Sequence, residues 1–532
     1  MDVMQKAIAR KQHISKREEL NIQTWQDFTK QAEKRKVVLF GTGECADYFF
    51  KNYRYIKLDS VVDNDSRKHG LCVADFCFEA ADSASGQLEI LPPDSLKRYA
   101  VDGVVVLIAS TNGYESICAQ LDGLGINRYF VFVIMEGKKR VSSQEEVQVI
   151  DDAQVLREYA RECCRESIKD FKIVICTFGT YSDHGKYIAE ALLRIRNDLD
   201  IVYLLRNLHV KVAQGVRKVY IGNRKQYIYE METAKIWIYS TPVPDHIIKR
   251  FGQIYIQTKH WASVTLKKFY LDSPTTQDVQ RSVDNWHYNS KIMDYIITGS
   301  DFDTESCRRG FGFDREVLQV GSARSDALFR QEELRKKIYE YYHIKPESHL
   351  IIYAPTYRFE RPDGEYTYVS REIDLDYKMV KNALEKRFGG EWYVMLRLHP
   401  SVAKEAAKIA KEEFVINASC YEDGEELVSA CDMMISDYSS IMFEPAFVLK
   451  PVFLFAIDRE NYIGKDYELL IDYDTLPFPC AVSNDELERN ILQFDQSKYE
   501  EEVKAFLDQY GVHEDGHASE RAAKFISELI LY

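Results

Sequence analysis

"YIQTKHWASVTLKKF", residues 255–269, decides how this chain is to be read. A run of β-formers stops at a loop in which His260 is followed by Trp261 and two lysines, Lys267 and Lys268. Upstream, "DFKIVICTFGTYSDHGKYIAEAL" (170–192) gives a strand, a glycine loop and a helix. "DIVYLL", "KVYIG", "KIWIYS" and "IYIQT" add strands, expected to alternate with helical segments as a parallel sheet requires. His260 then falls just past the carboxyl end of a strand, the edge at which open parallel sheets bind ligands.

Downstream the pattern repeats. After the amphipathic helix "SDALFRQEELRKKIYEYYHI", the stretches "HLIIYAPTYR", "WYVMLRLHP", "CDMMISDYSSIMFEPAF" and "KPVFLFAID" read as strands entering polar loops. Thr356, Arg358, Arg397, His399, Ser436, Asp437, Ser439 and Ser440 gather at those strand ends. Two Rossmann-like units in series make an α/β, GT-B-like pair, with lobes at 146–330 and 331–532. A further Rossmann-like unit is expected at 1–145: "KVVLFGTGECADYFFKN" carries Gly41, Gly43 and Ala46 as G-x-G-x-x-A, and Asp63 ends the next strand. These make Gly41, Gly43 and Asp63 a candidate nucleotide-binding set, with strand–helix packing as the alternative. The Tyr-x-x-x-Lys of a dehydrogenase occurs only as Tyr53 and Lys57, in the link before the second strand, which disfavours hydride chemistry.

The chain has 532 residues, 45% hydrophobic and 13% aromatic, enough for several cores, and a formal charge of −14 that argues against a nucleic-acid binder. The basic runs "RKQHISKR" and "KKF" read as solvated faces or as contacts with phosphate or an anionic membrane surface. Eleven cysteines without a C-x-x-C pair suggest reduced thiols rather than a zinc knuckle. The opening "MDVMQKAIARKQHISKREEL" lacks an apolar h-region, so the expectation is a cytoplasmic protein or one held peripherally at the inner face of the cell membrane.

In order, "AKIWIYS", "IQTKHWASVTLKKFYLD", "IITGSDFD", "VGSARSDALF", "IIYAPTYR", "LRLHP" and "ISDYSSIMFEPAFVLKPVFLFAIDRENY" resemble the CDP-glycerol glycerophosphotransferase family, which polymerises teichoic-acid-like chains. The resemblance covers about residue 170 to the end. It implies transfer of an alditol phosphate, of glycerol or ribitol type, from a CDP-activated donor to a hydroxyl of a growing cell-surface glycopolymer or lipid-linked glycan, with release of CMP. The family's strand–His element usually reads QTWHGT-P-L-K-K; here Gln257, Thr258 and His260 are kept, the tryptophan is displaced, and two extra residues precede Leu266. Its glycine-tyrosine-proline-arginine element stands as Gly321, Ser322, Ala323 and Arg324. An arginine-glycine pair is replaced by "GKDYELLIDY", where Lys465 is the substitute charge. The first unit resembles the small Rossmann-like domains that precede sugar-modifying enzymes of bacterial surface polysaccharide pathways.

Such a transfer needs a base for the attacking hydroxyl and positive charge around a diphosphate. His260 is the candidate base, since an imidazole with a pKa near 6.5 is matched to neutral pH. His399 is assigned to the phosphate or the leaving group. Thr356, Arg358, Arg397, Ser436, Asp437, Ser439 and Ser440 form the expected phosphate cradle, with helix capping as the plain alternative for the "SDYSS" run. Lys267, Lys268, Arg324 and Lys465 are candidate acceptor-side or supporting charges. Asp301 and Asp303 read as helix caps rather than a metal-binding pair, so no cofactor is expected and a metal-independent reaction is anticipated. A sugar-nucleotide glycosyltransferase and a non-catalytic sugar-nucleotide-binding scaffold are the rival readings.

Overall fold

The computed structural model describes residues 25–53, 55–77, 80, 84–110, 114–135, 152–272, 277–356, 358–360, 367–369, 375–398, 412–463 and 468–530. Its compact units are two: 1–160 with 206–208 and 219–229, and 161–205 with 209–218 and 230–532. The expected boundary at 145/146 lies outside the described residues.

The first unit is built on a parallel sheet of β1 (Lys36–Phe40), β2 (Ser60–Val62), β3 (Ile90–Leu91), β4 (Val104–Ile108) and β5 (Tyr129–Val131), ordered β3-β2-β1-β4-β5. Val38, Leu39 and all of β4 are fully buried, which is why these strands read as unbroken apolar runs rather than alternating ones. The order reverses between β1 and β4, so the loops after those strands border a crevice.

Two further sheets follow in series along the chain. The first lobe contains β6 (Lys169–Cys176), β7 (Asp200–Leu205), β8 (Val216–Tyr220), β9 (Ala234–Tyr239), β10 (Ile254–Gln257), β11 (Tyr295–Thr298) and β12 (Val317–Gln319), ordered β12-β11-β10-β9-β6-β7-β8. The second contains β13 (His349–Ala354), β16 (Trp392–Leu396), β17 (Val415–Asn417), β18 (Met433–Ser436), β19 (Val452–Phe455) and β20 (Cys480–Ala481), ordered β17-β16-β13-β18-β19-β20, with β14 (Arg358–Glu360) and β15 (Thr367–Val369) as a separate antiparallel pair. This is the GT-B-like arrangement.

The expected helix between every pair of strands is not kept. β9 and β10 are parallel neighbours joined by a non-helical crossover, in which Pro242 and Pro244 each remove a backbone donor and oppose a helix. No helix separates β7 from β8 either. The segment after His260 departs further from a simple strand-end loop: Val264 and Leu266, both fully buried, pack into the hydrophobic cluster of the second lobe. Burying two such side chains is worth about 1.5–3 kcal/mol each, so this segment helps hold the lobes together.

The return is made by the helix Ala518–Ile530, which packs on the first-lobe helix Asp183–Ile195. Asp326 accepts the N–H groups of Ala518 (3.0 Å) and Ser519 (2.8 Å), satisfying two of the donors that a helix start leaves open. The latter helix sits close on β6 because residue 185 is glycine: a Cβ there would come within 2.7 Å of Ile175 and 2.8 Å of Thr177.

Candidate active site

β10 ends at Gln257, and the chain then turns sharply, with Lys259 at φ 55°. Lys259 itself is fully buried. Its Nζ donates to the carbonyls of Trp261 and Ala262 (3.0 Å each) and pairs with Asp303 (3.0 Å), which also accepts the Trp261 indole N–H at 3.0 Å. His184 Nε2 donates to the Trp261 carbonyl at 2.9 Å, and Arg324 Nη1 donates to the carbonyl of His260 at 2.9 Å. Three consecutive carbonyls, 260 to 262, are thus gripped while the His260 side chain is exposed, packed edge-on against Phe178 (5.1 Å) and Trp261 (5.0 Å). This is the geometry of a presented side chain on a fixed backbone.

Arg324 was expected as a supporting charge on the acceptor side, and the structure places it in an ion cluster between the lobes. It lies 3.1 Å from Asp183 and 3.0 Å from Glu444, and bonds Glu425 as well. Beside it Lys186 pairs with Asp423 and Glu426 (2.7 Å to the latter), and Tyr187 donates to Asp423 at 3.0 Å. Burial pushes Glu425 well up and Glu444 up to about 7. Against the same push, Lys186 and its hydrogen bonds hold Asp423 down to about 2. Burial, with Lys259 and Arg324 close by, drives the His184 imidazole well below its usual range, so it is neutral.

The second-lobe cradle needs correction. Thr356 donates its N–H (2.8 Å) and hydroxyl (2.6 Å) to Asp437, whose same oxygen takes the Tyr438 N–H (2.6 Å). Ser436 donates to the Ala354 carbonyl at 2.8 Å. The order of the second sheet reverses between β13 and β18, so these bonds lock together the two loops that meet there; Thr356, Ser436 and Asp437 shape the crevice. Ser440 is spent on the first lobe, 3.0 Å from the Thr265 hydroxyl and accepting Leu266 N–H at 3.3 Å. Ser439 begins the turn without using its side chain as a cap. The expected apolar helix is only a short 3₁₀ turn, Ser440–Met442, followed by Phe443–Phe447. Arg397 donates to the carbonyls of Ala418 (3.0 Å) and Tyr421, and burial lowers its pKa. Arg358 lies in β14; His399 and Lys465 fall outside the described residues.

The lysine pair also ties lobes. Lys267 donates to the Tyr462 hydroxyl at 2.6 Å and lies 5.2 Å over that ring; Lys268 pairs with Glu468 at 2.7 Å, and Leu470 N–H bonds the Leu266 carbonyl at 2.8 Å. Sequence reading missed Phe178, Asp183, His184, Lys186, Asp423, Glu425, Glu444 and Glu514. The signal available for the first four was the loop "CTFGTYSDHGK" after a strand, and for Asp423 and Glu425 the run "YEDGEE" at a helix start; Glu444 and Glu514 stand in no such run.

Glu514 accepts the N–H of Ser322 (3.1 Å) and the hydroxyl of Ser263, and burial pushes it up to about 7. A carboxyl raised from about 4.3 in the unfolded chain stabilises the fold at acid pH, and this contribution is lost as pH rises towards 7. Glu514→Gln should therefore gain stability relative to the natural protein between pH 5 and 8, by more than about 1 kcal/mol; parallel denaturant melts at the two pH values check it, and identical pH slopes would contradict it.

Asp301 and Asp303 do not pair towards a metal. Ser300 caps their helix by accepting the Asp303 N–H (2.9 Å), Asp301 accepts from Gln319 (2.9 Å), and Asp303 is committed to Lys259 and Trp261. Among the described residues no group of three His, Cys, Asp or Glu is arranged to hold a metal ion, and no helix is long and apolar enough to cross a membrane.

In the first unit a cavity of about 310 Å³ opens at the β1/β4 reversal, lined by Gly41, Thr42, Gly43, Asp63, Asn64 and Ser110 among others. Gly41, at φ 107°, is required there, because a Cβ would meet the Ala109 carbonyl at 2.7 Å. Asp63 does not wait for a ribose. It accepts the Thr42 N–H (2.9 Å) and hydroxyl (2.6 Å) and the Asp65 N–H (2.8 Å), and pairs with Lys68 at 3.1 Å.

A model of the CDP-glycerol:poly(glycerophosphate) glycerophosphotransferase family matches residues 158–528. The teichoic acid poly(glycerol phosphate) polymerase of Staphylococcus epidermidis is 28% identical over 383 residues, 69% of this chain and 51% of that protein, so the chain spans about half the length of this relative. The teichoic acid glycerol-phosphate transferase of Staphylococcus aureus is 26% identical, over 65% of this chain and 90% of its own. The solved structure of the wall teichoic acid polymerase TagF is 26% identical with a TM-score of 0.63, covering 74% of this chain and 97% of that one. The matched span takes in both lobes and every contact of the His260 segment described above, and the chain belongs to the CDP-glycerol:poly(glycerophosphate) glycerophosphotransferase family.

Proposed function

We propose that the chain transfers an alditol phosphate, glycerol phosphate in the first instance, from a CDP-activated donor to a hydroxyl of a growing cell-envelope polymer. The observation that carries the reading is His260, exposed at a strand end on a backbone fixed from three sides, in a segment that also bonds the Ser439–Ser440 turn of the second lobe. In this reading His260 takes the proton of the acceptor hydroxyl. The oxygen attacks the phosphorus that carries the alditol, the diphosphate bond breaks, and CMP leaves. Ser439 and the loops locked by Thr356 and Asp437 cradle the diphosphate, with Arg358 and His399 assigned to its charge. The choice of glycerol follows the names of the two staphylococcal relatives. The reaction is assigned no resident cofactor and no metal, and the enzyme is placed at the cytoplasmic face of the membrane, where nucleotide donors are made.

Incubation with CDP-glycerol, CDP-ribitol and UDP- and GDP-sugars, with a polymer or lipid-linked acceptor, tests the class. CMP release from a CDP-alditol supports it; release of UDP or GDP alone makes the protein a glycosyltransferase. Turnover unchanged by EDTA is expected, and its loss with recovery on adding Mg²⁺ would revise the metal assignment. Ser439→Ala should weaken nucleotide binding by about 1–3 kcal/mol, the scale of a hydrogen bond to a charged group, whereas Ser440→Ala should loosen the lobes and leave affinity nearly intact. Titration calorimetry with CDP separates the two, and equal affinities would return Ser439 to a plain turn residue.

A further inference from the structure

We propose that Arg324 is a positioning residue that couples the placement of His260 to the seating of the second lobe; the inference rests on the reading of His260 as the base. The guanidinium is a fork with one tine in each lobe. Nη1 donates to the His260 carbonyl (2.9 Å) and to Asp183 (3.1 Å), both in the first lobe. Nη2 faces Glu444 (3.0 Å) and Glu425 in the second, on the helices Phe443–Phe447 and Gly424–Ala430. The other grips on this turn, from His184, Lys259 and Asp303, all come from within the first lobe. Arg324 alone among these carries a second-lobe contact to the peptide of His260.

The cluster is a poor arrangement for stability alone. Three carboxyl groups surround one buried guanidinium, and Arg324 Nε and Glu444 Oε2 are buried with no hydrogen-bond partner. Partly satisfied buried ionic networks are typically worth less than an apolar packing of the same volume, so a fold gains little from keeping one. What it does gain is a planar, two-sided donor whose geometry lysine cannot reproduce. With the second lobe seated, Nη2 is held and Nη1 is aimed at one carbonyl. With the lobes apart, the aim is lost. A displacement of about 1 Å at a reacting group can cost on the order of 100-fold in rate.

The test is a cycle of four proteins: natural, His260→Ala, Arg324→Lys and the double variant, assayed for CMP release from CDP-glycerol with a glycerol-phosphate-capped lipid acceptor. Arg324→Lys should lower kcat by roughly 10–100-fold with the donor KM within about two-fold. It should have no further effect in the His260→Ala protein, because a residue that acts through another has nothing left to position. An equal factor in both backgrounds overturns the proposal. Natural-level turnover in His260→Ala alone overturns the base reading instead, and shows in its own arm. Should Arg324→Lys be recovered unfolded, Glu425→Leu with Glu444→Leu carries the same cycle, leaving Arg324 on His260 and Asp183 while removing both of its second-lobe partners; undiminished turnover in that protein then sinks the coupling.

Discussion

Replacing His260 by alanine should cut turnover by roughly 10²–10⁴-fold, the range contributed by a positioned general base, while nucleotide affinity stays within about two-fold. The side chain is exposed and its backbone is fixed by contacts that its truncation does not touch, so the variant should fold and melt like the natural protein. That combination is the informative one. A loss of activity with a lowered melting temperature would point to the Phe178 and Trp261 ring contacts instead, and retained activity would remove the base.

The second large effect is expected at Asp303, and magnitude decides what the residue does. If it merely supported a helix start, Asp303→Ala would cost about 1 kcal/mol. Asp303 is the carboxylate paired with Lys259, and both side chains are 0% exposed. Removing one partner of a buried pair leaves an uncompensated charge and costs about 3–5 kcal/mol. The same substitution frees the Trp261 indole, so turnover should fall together with stability, in contrast to His260→Ala. Urea unfolding followed by tryptophan fluorescence measures it; a loss near 1 kcal/mol would restore the capping role. Asp303→Asn should recover the indole bond and only part of the stability.

The strand ends were legible because parallel strands buried on both faces leave long apolar runs that stop at polar loops, and His260, Thr356, Arg397 and Asp437 each stand at such a stop. What those residues do was less legible. Thr356 and Asp437 both look like phosphate ligands when read separately, and only the adjacency of β13 and β18 shows that they bond each other. Lys267 and Arg324 were read as acceptor-side or supporting charges because sequence shows a cation and not its partner, which lies 195 residues away at Tyr462 and 101 residues away at Glu425. The crossover between β9 and β10 was readable in principle: Pro242 and Pro244 oppose a helix there, whatever the usual rule for parallel strands.

The last helix, Ala518–Ile530, belongs by packing to the first lobe, and this sets an order on the birth of the protein. Asp326 leaves the ribosome 192 residues before the N–H groups that it will hold. At 5–20 residues per second that interval is on the order of ten to forty seconds, during which the whole second lobe is made. The nascent first lobe must wait with the helix Asp183–Ile195 lacking the cover that the last helix will supply. Chaperone capture of ribosome-bound chains should therefore peak while the second lobe is being translated and end when the final helix emerges.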